Sequence, residues 1–361
     1  MGQVKFGVGI IGLSADGGWA ATAHLPALRA LPECEVRGLV ASSAASAQKS
    51  AHAHGVAWCS DDPLALAQRA DIDLVVVAVK VPEHRKVIET LASAGKTVYC
   101  EWPLGVSLDD ARRITQVADR HGVRGFVGLQ ARASSTVRYV RDLVRSGEIG
   151  EVVSTSLLAA DASAAGRVAP RYVYSLDSSQ GVSTLSVTFG HAVDALCWCL
   201  GDFDSLAAVL ATRAPTASNT QTGEVHVRSV PDQVAVAGRL ASGAVASLHY
   251  RGIRSAMTPF LWEINGTKGD LVVTAPTGHM QYGDLTLRRS FARGGALTEV
   301  TDIPDEGVLA LPADGPARAV AQAYRQVFNE LSGVAAHAPS FADALRRHEL
   351  LDRIEQDAAS R

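Results

Sequence analysis

The sequence predicts an α/β fold of two parts. The first is an N-terminal Rossmann domain with a doubly wound parallel sheet, and the second is a C-terminal α+β domain with a largely antiparallel sheet. Two observations carry this reading. Over the first 150 residues apolar strand patterns alternate with amphipathic helix patterns, and after Gly147-Glu148-Ile149-Gly150 strands follow strands across short turns. Alternation at that spacing requires parallel pairing with helices on both faces, whereas consecutive strands pair antiparallel and leave one face to helices. A chain of 361 residues is long enough for two such domains, expected at 1–130 and 131–361, with the C-terminal helix able to pack back on the first.

Val4–Gly12, apolar and punctuated by glycine, reads as the opening strand, followed by helix around His24–Leu31 and a second strand at Glu35–Ala41. Asp73–Val79 is apolar on both faces, as a central parallel strand must be. Thr97–Cys100 and Arg124–Leu129 are further strands, and His84–Ala94, Leu108–His121 and Ser135–Ser146 have helical periodicity. Ser107-Leu108-Asp109-Asp110 opens one of these helices like a capping box, with Asp in place of Glu.

The second part reads as strands at Val152–Leu158, Ser205–Thr212, Asp232–Leu240, Ala244–Arg251, Phe260–Ile264 and Asp270–Thr274. A helix at Ser186–Leu200 interrupts them, and Pro316–Ser332 and Phe341–Ala359 return to helix. The Gly/Pro/Ala-rich stretches Thr212–Thr222 and Arg293–Ala317 read as surface loops.

A net charge of −3 argues against a basic nucleic-acid binder, and 47% hydrophobic residues argue against disorder. No apolar run reaches the roughly 18 residues of a membrane span. The chain enters its first strand almost at once, so a cytoplasmic protein without a signal peptide is expected. Five cysteines cannot all pair within the chain, and none shows C-x-x-C spacing. Cys197 and Cys199, two apart on a helix, point about 200° apart and would not converge on one ion, so no metal is expected.

The opening strand runs into Gly12-Leu13-Ser14-Ala15-Asp16-Gly17-Gly18-Trp19-Ala20. A dinucleotide fold needs a tight bend there, so that backbone N–H groups and a helix N-terminus face the pyrophosphate. Gly12 can make the bend and Gly17 or Gly18 can allow close helix packing, although Ser14 replaces the middle glycine and one residue is inserted. The second strand ends Val40-Ala41-Ser42-Ser43-Ala44. No acid is present to bond a ribose 2′-hydroxyl or repel a 2′-phosphate, and Ser42 or Ser43 can donate to one; no Arg stands beside them, so the balance leans slightly to NADP over NAD. The same serines also read as a helix cap.

Several motifs in order resemble the Gfo/Idh/MocA oxidoreductases. They are Gly9-Ile10-Ile11-Gly12, His24-Leu25-Pro26-Ala27-Leu28, the run Ala94 to Leu104, Gly147-Glu148-Ile149-Gly150, Gly181 to His191 with Asp194, and Asn265-Gly266-Thr267-Lys268-Gly269. Within that family the likeness is greatest to the cofactor-binding, non-enzymatic galactose-pathway repressors of yeasts and their bacterial relatives. It rests on Gly18-Trp19-Ala20, Gly128-Leu129-Gln130-Ala131-Arg132 and Arg171-Tyr172-Val173-Tyr174.

The resemblance implies NAD(P)-linked chemistry on a sugar-like substrate and homo-oligomers built through the second domain. It also implies cofactor contacts from Val79, His84, Glu101, Trp102 and Gln130. Trp102 stands where the family has the lysine of Glu-Lys-Pro, and Val187 where it has an Asp, so two expected polar groups are missing. His191 and Asp194, three apart on one helical face, are the expected proton-handling pair, and Tyr172 and Tyr174 can supply a phenol, with Tyr174 the candidate site residue. Arg132 reads as a cation for a carboxylate or hydroxyl-rich ligand, and Lys80 as a solvated side chain. The alternative to an enzyme is a cofactor-dependent sensor with little or no catalysis.

Overall fold

The computed structural model describes residues 5–161, 166–253, 255–256, 259–282, 284–292, 294–304, 311 and 315–360. Residues 1–4, which include Val4 of the expected opening strand, and 293, 305–310 and 312–314 of the expected Arg293–Ala317 loop, lie outside the described residues. The chain divides into two compact units, 1–133 with 307–346, and 134–306 with 347–361.

In the first unit β1 (Phe6–Ile11), β2 (Cys34–Val40), β3 (Cys59–Ser60), β4 (Leu74–Val77), β5 (Thr97–Cys100) and β6 (Gly125–Val127) form one sheet in the order β3-β2-β1-β4-β5-β6. Every pairing in it is parallel. The order reverses at β1, so a crevice opens beyond the carboxyl ends of β1 and β4, where open α/β sheets bind ligands. The helices are α1 (Leu25–Arg29), α2 (Ala44–His54), α3 (Pro63–Ala67), α4 (His84–Ser93) and α5 (Leu108–His121). The Ser107 hydroxyl accepts from Asp110 N–H at 3.2 Å, but Asp110 Oδ2 accepts from Val106 rather than Ser107. The expected capping box is therefore only half made; the Asp side chain is one methylene shorter than Glu.

The second unit begins with α6 (Ser135–Arg145), β7 (Val152–Ala160), β8 (Arg167–Val168) and α7 (Gly190–Leu200). β9 (Phe203–Ala211), β10 (Thr216–Asn219), β11 (Val225–Val227), β12 (Gln233–Leu240) and β13 (Val245–Arg251) follow. The strands end with β14 (Phe260–Gly266), β15 (Asp270–Ala275), β16 (Thr286–Arg289) and β17 (Thr298–Glu299). Eight of them form a sheet in the order β17-β16-β15-β14-β7-β13-β12-β9, antiparallel except where β7 meets β13. Alternation is clean: Ala246, Leu248 and Tyr250 of β13 are buried while Val245, Ser247 and His249 are exposed. Phe189, just before α7, meets Tyr250 edge to face at 6.0 Å, so the helical layer covers the buried side.

Two expected loops contain strands. Thr212–Thr222 holds β10, which pairs with β11 and β8 in a separate three-stranded sheet. Only Ala217 of β10 is buried, so no alternating apolar signal marks it. Arg293–Ala317 holds β17 at the edge of the large sheet.

The chain closes with α8 (Pro316–Leu331) and α9 (Phe341–Ala359). Val320, Tyr324, Val327 and Phe328 of α8 join the core of the first unit with Val8, Ile10, Val76 and Tyr99.

Candidate functional site

At the end of β1 the backbone of Gly12 turns to φ +101°, and a Cβ there would lie 2.6 Å from Ala78 O, just past β4. Only glycine fits this bend. The loop beyond it is pinned from α2. Ser50 Oγ accepts from Ala15 N–H at 3.0 Å, and His54 Nε2 donates to Ser14 O at 3.0 Å. Ser14 Oγ accepts from Asp16 N–H, so the residue replacing the middle glycine stiffens the loop itself. Gly17 and Gly18 take φ of +88° and +113°. Trp19 leads into a wide turn, Ala20–His24, in which Leu25 N–H reaches back five residues to Ala20 O.

Ser43 caps α2 by accepting from Ser46 N–H at 3.2 Å, while Ser42 remains exposed at the end of β2. Thus one of the two serines is a cap. Val79 is half-buried and Lys80 exposed at the end of β4.

Past β5, Glu101 sits in a web of donors. Gln130 Nε2 donates to Glu101 Oε1 at 2.8 Å, and His24 Nε2 faces the same oxygen at 3.2 Å. The other nitrogen of His24 is 2.6 Å from Tyr324 Oη. Burial pushes the Tyr324 phenol well above its usual range, so it keeps its proton and donates to the imidazole. A Cβ on Gly128 would lie 2.4 Å from Glu101 Oε1, so the carboxylate would have to shift to admit a side chain there. Trp102 is 5% exposed and joined to Pro103 by a cis peptide. His84 is buried between the loops after β4 and β5, with its nitrogens 3.2 Å from Val79 O and Leu104 O. Burial lowers its pKa, against the raising effect of the two carbonyl oxygens and the Glu101 charge. Gly12, Leu13, Ser14, Gly18, Trp19, Ser42, Val79, Glu101, Trp102 and Gln130 thus lie at or just beyond the carboxyl ends of the strands, and Ala20 and His84 open the helical segments that follow.

Arg132 is not available to a ligand as read from the sequence. It is buried and paired with Asp343 Oδ1 at 3.0 Å. Burial works against the charge on Asp343, but Arg132 and hydrogen bonds from Ser340 outweigh it and hold the carboxyl at about 2.

In the second unit His191 lies in the first turn of α7 and is buried, as is Asp194. Asp194 Oδ1 takes Arg347 Nε at 3.1 Å, and Arg347 also reaches Asp202 at 3.3 Å. The carboxylate expected beside His191 is therefore committed to a cation from α9, which spacing along the chain could not reveal. Tyr174 is half-buried, and burial raises its phenol, so it stays protonated. A cavity of about 440 Å³ opens in this unit beside Asp161, Tyr172, Val187, Thr188, Arg228 and Tyr282; its lining takes Tyr172 rather than Tyr174.

Burial pushes the Cys197 thiol up to about 12. Among the described residues no three His, Cys, Asp or Glu side chains gather as a metal site, and no helix is long and apolar enough to cross a membrane.

The sequence motifs did not mark His24, Gly128 or Tyr324 as site residues. His24 stands in a motif quoted for family likeness, but Tyr324 belongs to no motif and meets the site only through the fold.

A glycine-only bend at the switch point of a doubly wound sheet defines a dinucleotide-binding α/β protein. Residues 6–129 match the model of an oxidoreductase family with an NAD-binding Rossmann fold, and residues 135–275 match that of the Gal80p C-terminal domain. The dehydrogenase aclE of Aspergillus oryzae is 31% identical over 286 residues, 75% of this chain and 77% of that protein. The galactose/lactose metabolism regulatory protein GAL80 of Saccharomyces cerevisiae is 27% identical, over 79% of this chain and 70% of its own. The structure of levoglucosan dehydrogenase with NADH and levoglucosan superposes with a TM-score of 0.85 at 23% identity, covering 99% of this chain and 98% of that one. The chain belongs to the Gfo/Idh/MocA oxidoreductase family.

Proposed function

We propose that the protein is a nicotinamide-dependent oxidoreductase acting on a sugar-like or other small polar hydroxyl or carbonyl substrate. The observation that carries this reading is the bend at Gly12, which admits no side chain against Ala78 O and is followed by a loop fixed by Ser50 and His54. Backbone donation to a pyrophosphate needs such a rigid, side-chain-free approach. The residues present fit the group: Gly12, Leu13, Ser14, Gly18, Trp19 and Ala20 hold the diphosphate, and Ser42 meets the adenine ribose. Val79, His84, Glu101, Trp102 and Gln130 frame the nicotinamide end. The exposed Ser42 hydroxyl and the lack of an acid beside it favour NADP.

The nicotinamide, when bound, supplies the hydride chemistry. His191 exchanges the proton of the substrate oxygen, and the protonated phenol of Tyr174 donates a hydrogen bond to it. Asp194, paired with Arg347, anchors the helix that carries His191. The same reading places the protein in the cytoplasm as a homo-oligomer.

A second reading is favoured by two residues. Trp102 supplies no charge where the family has lysine, and Val187 none where it has Asp. A cofactor-dependent sensor would bind nicotinamide dinucleotides without turning over, in keeping with the likeness to GAL80. Titration with NADH and NADPH, followed by absorbance at 340 nm with a panel of sugars and polyols, separates the two. Turnover that disappears in His191→Gln supports the enzyme, and tight binding without turnover supports the sensor. Absence of binding by either dinucleotide overturns both.

A further inference from the structure

The cavity of the second unit keeps few of its polar groups for a ligand. Thr188 Oγ1 donates to Asp161 Oδ2 at 2.7 Å, and Ser175 Oγ donates to Tyr172 O at 2.7 Å. Ser183 Oγ accepts from Ser186 N–H at 3.1 Å and forms part of the cap of the helical turn that follows. Arg228 is buried; its Nε donates to Ala214 O at 3.0 Å, and the charges of Asp232 and Asp161 offset its own. Arg167, the other cation of the lining, is exposed to solvent.

Much of the remaining wall is aliphatic and aromatic. Val168, Leu176, Val182, Val187 and Val230 supply the aliphatic part. Tyr172, 52% exposed, and Tyr282 supply rings, and His279 stacks on Tyr282 with centroids 4.7 Å apart and planes 10° from parallel. Burial, with the neighbouring Tyr172 phenol a smaller cause, pushes the Tyr282 phenol up, so it keeps its proton. Burial also lowers the pKa of His279 below 6.5, against the pull of Asp161, so that ring is neutral at pH 7. Val187 stands where the family has an Asp, so a position that would bring a carboxylate to the wall holds two methyl groups instead. It lies four residues before His191 on the same helical run.

Such a wall favours a flat apolar body over a charged or heavily hydroxylated one. A charged group would shed its water with no uncommitted counter-charge inside. Each ligand hydroxyl would give up water for a wall whose own donors largely face the protein. Aromatic rings gain from an offset or edge-on ring beyond the area they cover. The volume of about 440 Å³ falls within the roughly 300–1000 Å³ of small-molecule sites.

We propose that this cavity binds a neutral aromatic alcohol or carbonyl compound, with its ring against Tyr172, Tyr282 and the aliphatic wall and its oxygen toward the turn that leads to His191. The proposal rests on the oxidoreductase reading and, within it, chooses an aromatic substrate over a sugar.

The test is calorimetric titration of the whole protein with NADH, then of the NADH-loaded protein with 2-naphthylmethanol, 2-naphthoate and galactose. The alcohol is expected to bind at least about tenfold tighter than galactose, through the apolar area it buries. It should also bind at least about tenfold tighter than the naphthoate, which has the same rings and a charge. Val187→Asp, at a half-buried position, should weaken alcohol binding at least about fivefold. Tyr172→Ala, which removes an exposed ring, should weaken it about two- to tenfold. NADH should bind both variants as it binds the parent. Galactose or naphthoate binding as tightly as the alcohol, an alcohol affinity that neither variant changes, or no alcohol binding by protein that binds NADH would overturn the proposal. Failure of the parent to bind NADH would instead count against the oxidoreductase reading.

Discussion

Tyr324 Oη and His24 Nδ1 lie 2.6 Å apart, although 300 residues separate them in the chain. The phenol donates to one side of the imidazole, and the other side faces Glu101 at 3.2 Å. A residue of α8 thus acts on Glu101 through a single buried ring. His24 is fully buried, so removing the phenol leaves Nδ1 without its donor in a dry site. Tyr324→Phe should cost about 1–3 kcal/mol of stability in urea unfolding. It should also weaken NADH binding several-fold, because the His24 ring that faces Glu101 loses the hydroxyl that holds it in place. A variant with unchanged dinucleotide affinity would separate this triad from the cofactor site.

Gly12→Ala makes a sharper prediction. The methyl would stand 2.6 Å from Ala78 O at a φ of +101°, so the strand ends must part or the bend must rotate. Either movement spoils the approach to a pyrophosphate. The variant should keep its far-ultraviolet circular dichroism yet lose the rise in Tm that NADH gives the parent. A full rise in the variant would show that the bend does not carry the diphosphate.

The parallel sheet was legible because strands alternate with helices along the chain and Leu74–Val77 is apolar on both faces, as a buried parallel strand must be. The α2 helix was not, since its Ala-rich sequence buries only Ala47 and Ser50 and shows no apolar stripe. The glycine bend and the Glu101 segment are local, so short motifs mark them. The partners of Asp194, His24 and Arg132 are not local. Arg347, Tyr324 and Asp343 sit 153, 300 and 211 residues away along the chain, and only packing brings them close. Charged residues at such separations carry no periodicity to read, which is why Arg132 looked available to a ligand.

His191 and Asp194 should separate when each is replaced. Asp194→Asn takes a carboxylate away from the buried guanidinium of Arg347, whose contact with the exposed Asp202 remains. Breaking a buried pair by removing one partner costs about 3–5 kcal/mol, and the remaining contact should place this variant near the lower end. His191→Gln keeps a polar side chain of similar reach and should leave Tm within a few degrees of the parent while abolishing any turnover. Urea unfolding and absorbance at 340 nm on the two variants check this. Equal loss of stability in both would make His191 a structural residue.

Stability should also fall in mild acid through His348, one residue beyond Arg347 on α9. Burial lowers its pKa from 6.5 to about 4. The unfolded chain therefore takes up a proton at this side chain near pH 6.5, while the folded chain refuses it until about pH 4. Between those values the unfolded state binds more protons, so stability drops as pH falls and levels off for this group below about 4. A tenfold difference in proton affinity between fold and unfolded chain is worth about 1.4 kcal/mol, so this imidazole accounts for about 3 kcal/mol across the window. Urea unfolding at pH 7.0, 5.5 and 4.5 should show this slope in the parent, and His348→Gln should lack it. Parallel slopes in the two proteins would mean that the ring charges as readily in the fold as outside it.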